Sequence, residues 1–95
     1  MYSSVTVDDF LGFYHNVNII DIRSNEKYNS NHIDGSINIP YQSLLVDPSR
    51  YLDKGEKYYL YCQKGLSSSS VCSILSKLGY NVVNIIGGYE SWLLR

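Results

Sequence analysis

The sequence has little of what marks secreted, membrane-spanning or nucleic-acid-binding chains. Its 95 residues include only two prolines and two cysteines, and the net charge is −1. No apolar run is long enough to cross a bilayer, and no basic residue precedes the first apolar positions as in a signal peptide. Binding to nucleic acids or to anionic membrane surfaces requires clustered basic residues, and a net charge of −1 argues against such binding. We therefore expect one soluble domain over residues 1–95, without a nucleic-acid or membrane partner.

The composition favours a folded chain with reduced cysteines. Apolar residues make up 44% of the sequence and tyrosines number ten, which is typical of a chain that buries a core. Cys62 lies in a predicted loop and Cys72 in the helix that follows, where their side chains should diverge. Free thiols predict a cytoplasmic protein. No set of His, Cys and carboxylate residues has metal-ligand spacing, so we expect no metal and no other cofactor.

Acidic residues are missing from one long stretch. Residues 57–89 contain Lys57, Lys64 and Lys77 and no acid. If these lysines gather around Cys62, they favour a thiolate and an anionic ligand; if they are scattered, they only solvate the surface. The sequence leaves both interpretations open.

Short β-branched runs alternate with helical patterns along the chain. Apolar runs predict strands at residues 17–22, 36–39, 58–61 and 82–86. Helical signals predict a helix after Thr6 as N-cap, and further helices at 25–31, at 41–46, after Cys62 and from 87–88 onward. The alternation predicts an α/β fold with an open, mostly parallel sheet and helices on both faces.

Spacing also predicts which helix faces are buried. Apolar residues at i, i+3, i+4 and i+7 should pack the helix after Cys62 against the sheet, and a similar set should pack the terminal helix. These residues are Val71, Ile74, Leu75 and Leu78 in the first helix, and Tyr89, Trp92 and Leu93 in the second.

Cys62 stands at the carboxyl end of a predicted central strand, the edge where open α/β sheets bind ligands. If residues 63–68 curl around its sulfur, backbone N–H groups and the helix terminus converge on it and favour a thiolate. Gly65 permits the positive φ that such a curl requires, and Ser67 or Ser68 can cap the helix. A buried structural cysteine followed by an ordinary serine cap fits the same spacing.

Four stretches along residues 21–92 carry a family resemblance. They are Asp21-Ile22-Arg23, Tyr28-x-x-x-His32-Ile33-x-Gly35-Ser36-x-x-Ile39-Pro40, Cys62-Gln63-Lys64-Gly65-Leu66-Ser67-Ser68, and Ile86-Gly87-Gly88-Tyr89-x-x-Trp92. Together they resemble the signatures of the rhodanese family, whose fold is a parallel α/β sheet wrapped by helices. The resemblance implies a sulfurtransferase in which Cys62 takes a sulfane sulfur from thiosulfate or a persulfide, carries it as a persulfide and passes it to cyanide or a thiol, including a protein thiol.

The resemblance also implies roles for the neighbouring residues. The loop binds the small anionic donor, with Lys64 docking its charge, while Asp21 and Arg23 support the loop through hydrogen bonds. Many members have arginine where Ser67 stands, so anion binding should be weaker and a persulfide donor stays open beside thiosulfate. The implied substrate-binding residues are Gln63, Lys64, Gly65, Leu66, Ser67 and Ser68.

Two other functions compete with this interpretation. A phosphatase of related fold needs an arginine six positions after the cysteine, where this chain has Ser68, so phosphoryl transfer would lose its main electrostatic support. A noncatalytic rhodanese-like module would bind partners only, but such modules often lack the cysteine. We therefore interpret the chain as an enzyme, with the binding module as the alternative.

Overall fold

One open sheet of five parallel strands forms the centre of the computed structural model, which describes residues 2–95. The strand order across the sheet is β1-β5-β4-β2-β3, so β4 is central, as the sequence predicts. The strands are β1 (Ser3–Val5), β2 (Asn18–Asp21), β3 (Ser36–Asn38), β4 (Lys57–Tyr61) and β5 (Asn81–Ile85).

Helices connect successive strands. Thr6 caps the first of them, because its Oγ1 accepts the N–H of Asp9 at 3.1 Å. None of the helices described over residues 2–95 is long and apolar enough to span a bilayer. They are α1 (Val7–Phe10), α2 (Asn25–Ser30), α3 (Tyr41–Val46), α4 (Leu66–Lys77) and α5 (Gly88–Leu93), with short 3-10 turns at Tyr14–Asn16 and Pro48–Arg50.

Each face of the sheet has its own core. Successive residues of a strand point to opposite faces, so Ile20 and Leu60 belong to one core while Ile19 and Tyr59 belong to the other. Helices α3 and α4 cover the first face, and α1 and α5 cover the second. The predicted α/β architecture with helices on both faces is confirmed.

Both predicted helix faces were partly wrong. Ile74 and Leu78 are 45% and 51% exposed, and Leu93 on α5 is 55% exposed. The buried face of α4 is rotated from the predicted face toward smaller side chains. Hydrogen bonds between the first turn of α4 and the preceding loop fix the orientation of the helix on the sheet. The residues buried along α4 are Ser68, Val71, Cys72 and Leu75.

Candidate active site

Cys62 follows the central strand directly, and the chain then curls around its sulfur. Sγ accepts the backbone N–H groups of Gly65 at 3.1 Å and Ser68 at 3.2 Å. Gly65 has a φ of 90°, in the left-handed region that glycine adopts without strain. Helix α4 begins at the next residue, so the loop presents the sulfur to the helix N-terminus, where backbone dipoles favour negative charge.

The predicted serine cap was wrong, because the cysteine takes its place. Gly65 occupies the N-cap position of α4 and makes no side-chain capping bond. The N–H that a capping side chain usually accepts belongs to the third residue of the helix, which is Ser68, and this group donates to Cys62 Sγ. Ser67 is exposed at the surface. The sulfur therefore receives two main-chain hydrogens without help from a serine hydroxyl.

Helix α5 holds the loop from behind. The N–H of Tyr89 donates to the carbonyl of Cys62 at 2.9 Å, and that of Glu90 donates to the carbonyl of Gln63 at 3.0 Å. The contact is close: a Cβ added to Gly88 would lie 2.3 Å from the Cys62 carbonyl oxygen, and one added to Gly65 would lie 2.7 Å from the Gly87 nitrogen. Backbone meets backbone here, which explains why glycines stand on both sides.

Asn84 completes the site from strand β5, and the sequence analysis missed it. Its Oδ1 accepts the hydroxyl of Ser68 at 2.5 Å, and its Nδ2 donates to the carbonyl of Gly65 at 3.4 Å. The hydroxyl hydrogen of Ser68 therefore points away from Cys62, and Ser68 Oγ accepts the S–H of the Cys62 thiol at 3.4 Å. The available signal was an amide among the apolar residues 82–86, since such a residue in a buried strand needs hydrogen-bond partners.

A cavity of about 270 Å³ opens above the sulfur. Cys62 is only 6% exposed and packs into the core beneath the loop, yet it also lines this cavity. The sulfur is therefore at the boundary between core and cavity rather than sealed inside the protein. The other lining residues are Lys27, Gln63, Lys64, Leu66 and Ser67.

Of the two arrangements that the sequence left open for Lys57, Lys64 and Lys77, the structure has the scattered one for all but Lys64. Lys64 lines the cavity, but Lys57 starts β4 at the opposite edge of the sheet and Lys77 ends α4. The second cation is Lys27 of α2, which is distant in sequence. A somewhat larger cavity of about 340 Å³ lies beside α3 and has no residue of the Cys62 loop in its lining.

Asp21 and Arg23 form a buried ion pair next to the loop. Arg23 Nη2 lies 2.7 Å from Asp21 Oδ2, and their side chains are 5% and 0% exposed. Burial acts to lower the pKa of Arg23, but the hydrogen bond to Asp21 and its negative charge outweigh burial, so the pKa lies above its ordinary value. The same guanidinium donates to Gln63 Oε1 at 3.2 Å and to the Asn31 carbonyl at 2.7 Å. The pair thus connects the end of β2 to the loop.

Two candidate chemical groups lie outside the cavity. Cys72 is completely buried, and burial raises the pKa of its thiol to about 12, with a smaller effect of the negative charge of Cys62. His32 stacks on the ring of Tyr28, and its Nδ1 makes a 2.8 Å hydrogen bond with the Tyr28 carbonyl, as expected of a side chain that stabilises the turn. Both cysteines are free.

Comparison with known proteins gives a consistent family. The sequence-family model of the rhodanese-like domain matches residues 6–95. A rhodanese-related protein from Thermoplasma volcanium has a similar structure, with a TM-score of 0.89, 30% identity, and coverage of 98% of this chain and 92% of that chain.

Curated relatives share the same region. Thiosulfate sulfurtransferase PspE of Escherichia coli (strain K12) is 36% identical over 75% of this chain and 69% of its own length. The tRNA sulfurtransferase of Thermoplasma acidophilum is 44% identical over 64% of this chain, a match that spans only 12% of that protein. Because the family model matches nearly the whole length of the chain and a rhodanese-related protein has the same fold, the chain belongs to the rhodanese-like domain family.

Proposed function

We propose that this protein is a sulfurtransferase that carries sulfane sulfur as a persulfide on Cys62. The observation that carries the proposal is the pair of main-chain N–H groups, from Gly65 and Ser68, that converge on Sγ at the floor of a cavity. Such fixed donors stabilise a sulfur anion and do not have to reorganise as charge moves. Relatives that are named sulfurtransferases support the same chemistry.

The first step loads the sulfur. The Cys62 thiolate attacks the outer sulfur of thiosulfate, a bond forms between the two sulfurs, and the bond within thiosulfate breaks. Its electron pair leaves with sulfite, so the three negative charges of the reactants are divided between the persulfide and sulfite. Lys27 and Lys64 lie on the cavity wall, where their ammonium groups attract the dianion. A persulfide donor would react in the same way and release a thiolate.

The second step delivers the sulfur. Cyanide or a thiolate attacks the outer sulfur of the persulfide, the bond to Sγ breaks, and the electron pair returns to Cys62. The N–H groups of Gly65 and Ser68 then hold the same thiolate as at the start. Attack by a thiolate needs no proton transfer, so neither step requires a general base, which agrees with the position of His32 outside the cavity lining. The reactive thiolate requires a reducing compartment, and we place the protein in the cytoplasm.

Intact-mass measurement tests the proposal directly. The reduced protein is incubated with thiosulfate or with an organic persulfide, desalted and weighed, and we expect a gain of one sulfur atom. Cys62→Ser should gain none. Cys72→Ser is the matched control, because it removes the other cysteine and leaves the loop intact, and it should gain sulfur as the natural sequence does.

Two results would refute the enzyme. Sulfur uptake that persists in Cys62→Ser would place the carrier elsewhere. A failure of the natural sequence to take up sulfur from every donor, although Cys62 still reacts with iodoacetamide, would favour the noncatalytic binding module.

A further inference from the structure

A second cavity adjoins the one above Cys62. Its volume is about 320 Å³, and it shares Lys27 and Gln63 with the Cys62 cavity. It extends from there between α2 and α5, away from the sulfur. Its complete lining is Arg23, Lys27, Ser30, Asn31, Gln63 and Tyr89.

The lining of this second cavity is cationic. Among residues 2–95 the ion pair of Arg23 with Asp21 is the only one, so Lys27 keeps an uncompensated charge. No carboxylate lines either cavity among the residues that the structure describes. The Arg23 guanidinium also lines the cavity, with its side chain 95% buried and its carbon 4.3 Å from the centroid of the Tyr89 ring, but Asp21 balances its charge, so Lys27 supplies the net positive charge of the lining. An anionic group is the ligand that such a lining attracts.

Gln63 is oriented as a donor at the junction of the two cavities. Its Oε1 accepts from Arg23 Nη1 at 3.2 Å, so the amide nitrogen at the other side of the group is turned away from the guanidinium. The N–H hydrogens of the carboxamide are left without a partner in the guanidinium, and Lys27 lines the same two cavities as Gln63. These are the donors that bind a carboxylate.

Lys27 lines both cavities, so it can attract the thiosulfate dianion in the loading step and a different anion in the delivery step. We propose that the second cavity binds the carboxylate of a small organic thiol whose sulfur reacts at Cys62. This inference rests on the proposed function, since it names the acceptor class of the same site. The acceptor thiolate attacks the outer sulfur of the Cys62 persulfide, a new sulfur–sulfur bond forms, and the bond to Sγ breaks with its electron pair on Sγ. The acceptor leaves as an organic persulfide.

Acceptor pairs that differ only in charge test this inference. The protein is loaded with thiosulfate and desalted, and the rate of sulfur loss to 6-mercaptohexanoate is compared with the rate to 6-mercaptohexanamide. We expect the carboxylate to react about fivefold faster at low salt, because one favourable charge contact is worth about 1 kcal/mol. Equal rates would refute the inference.

Two variants on one helix place the effect in the second cavity. Ser30→Glu adds a carboxylate to the lining of the second cavity only, and the preference for 6-mercaptohexanoate should disappear. Asn29→Glu adds the same charge to the neighbouring exposed residue, which lines neither cavity, and the preference should remain. If both variants change the preference equally, the effect comes from overall charge and the assigned cavity is wrong.

A second measurement separates this inference from the proposed function. The thiolate of Cys62 in unloaded protein is allowed to exchange with the symmetric disulfide of 6-mercaptohexanoate or of its amide, and the mixed disulfide is followed by intact mass. This reaction needs no sulfane sulfur. A carboxylate preference in this exchange, together with no sulfur uptake from any donor, would support the carboxylate site and refute the sulfurtransferase. Sulfur uptake without a carboxylate preference would support the sulfurtransferase and refute the carboxylate site.

Discussion

The sulfur of Cys62 accepts the N–H that a capping oxygen accepts in most helices. The presence of a sulfur acceptor where most helices have an oxygen acceptor explains which parts of the site the sequence could predict. Cysteine at a strand end, glycine three residues later and a following helix predicted a ring of main-chain hydrogens, and the structure has this geometry at Gly65 and Ser68. The serine cap was wrong because capping preferences describe oxygen acceptors and take no account of a sulfur from the preceding strand.

The sequence analysis missed Asn84 and Lys27 for a different reason. Each reaches the loop from another element, and only the order of the strands and the packing of α2 bring them there. Asn84 left a trace in the sequence as a polar residue in a buried strand, whereas Lys27 resembles any lysine on a solvated helix. Their contributions depend on tertiary contacts that one sequence does not encode locally.

Asn84→Ala should make Cys62 more reactive at low pH. The amide now holds the Ser68 hydroxyl at 2.5 Å, and its removal frees that hydroxyl to donate to a thiolate sulfur. A hydrogen bond to a charged group is worth about 1.5 kcal/mol or more, so alkylation by iodoacetamide at pH 6 should become about tenfold faster.

The Ser68→Ala background provides the control for Asn84. Without the hydroxyl, the same Asn84→Ala change should leave the alkylation rate at pH 6 where Ser68→Ala alone puts it. A rate increase of equal size in both backgrounds would show that Asn84 acts by another route, such as a general loosening of the loop.

Cys72 should make the protein less stable in alkaline solution. Burial raises the pKa of its thiol from 9.0 to about 12 in the folded state. The unfolded chain therefore loses this proton first, and the stabilisation that is present below about pH 9 is lost as the pH rises toward 12. In this range the free energy of unfolding should fall by up to about 1.4 kcal/mol per pH unit from this group.

Urea unfolding at pH 8 and pH 10.5, under reducing conditions, measures the effect of Cys72. The natural sequence should lose more stability between the two pH values than Cys72→Ala does. Burial also raises the pKa of Tyr61, which contributes the same alkaline loss to both proteins and cancels in the comparison. Equal losses would mean that the Cys72 thiol ionises as easily in the folded protein as in the unfolded chain.

At the scale of elements, the five helices and four of the five strands were predictable in their order, and the rotation of the helices was not. Apolar runs identified β2, β3, β4 and β5, as is typical of a parallel sheet, whereas β1 (Ser3–Val5) was not predicted, because it has only three residues and two of them are exposed serines. Two stripes of α4 have the same helical spacing, and they share Val71 and Leu75. The contacts of its first turn with Cys62 select the stripe that contains Cys72 instead of the one that contains Ile74.

The contact between α5 and the Cys62 loop should tolerate no side chain at Gly88. Gly88 has a φ of 58°, and an added Cβ would lie 2.3 Å from the Cys62 carbonyl oxygen. Gly88→Ala therefore combines a left-handed backbone with a backbone clash, and we expect it to lower the free energy of unfolding by roughly 3 kcal/mol or more. It should also slow sulfur uptake, since the loop carbonyls of Cys62 and Gln63 would lose their donors.

Gly35→Ala is the matched control for Gly88. Its φ is 87°, but nothing lies within 4 Å of an added Cβ, so it bears only the backbone cost of about 1–2 kcal/mol. Urea unfolding of the two variants compares the costs. Equal destabilisation would show that the α5 contact adds nothing, and that the loop relaxes around a side chain without loss.

At the scale of the whole molecule, a single sheet separates two cores and carries the site at one edge. The sulfur of Cys62 belongs to the core of the first face, while the helix that holds the loop carbonyls, α5, packs on the second. The loop is thus fixed from both faces at once. Because the site needs both layers in place, the two cores should unfold as one cooperative unit.

Leu75→Ala tests this cooperativity from the face opposite the only tryptophan. Leu75 is fully buried in the first core, and truncation of such a side chain costs about 2–5 kcal/mol. Trp92 lies in the second core, so its fluorescence reports on a layer that the substitution does not touch. We expect the urea midpoint of the Trp92 fluorescence to fall together with that of the far-ultraviolet circular dichroism.

Ile74→Ala, at the adjacent residue that is 45% exposed, should change both midpoints little. A Trp92 midpoint that stays in place while the circular dichroism midpoint falls would show that each face of the sheet unfolds by itself.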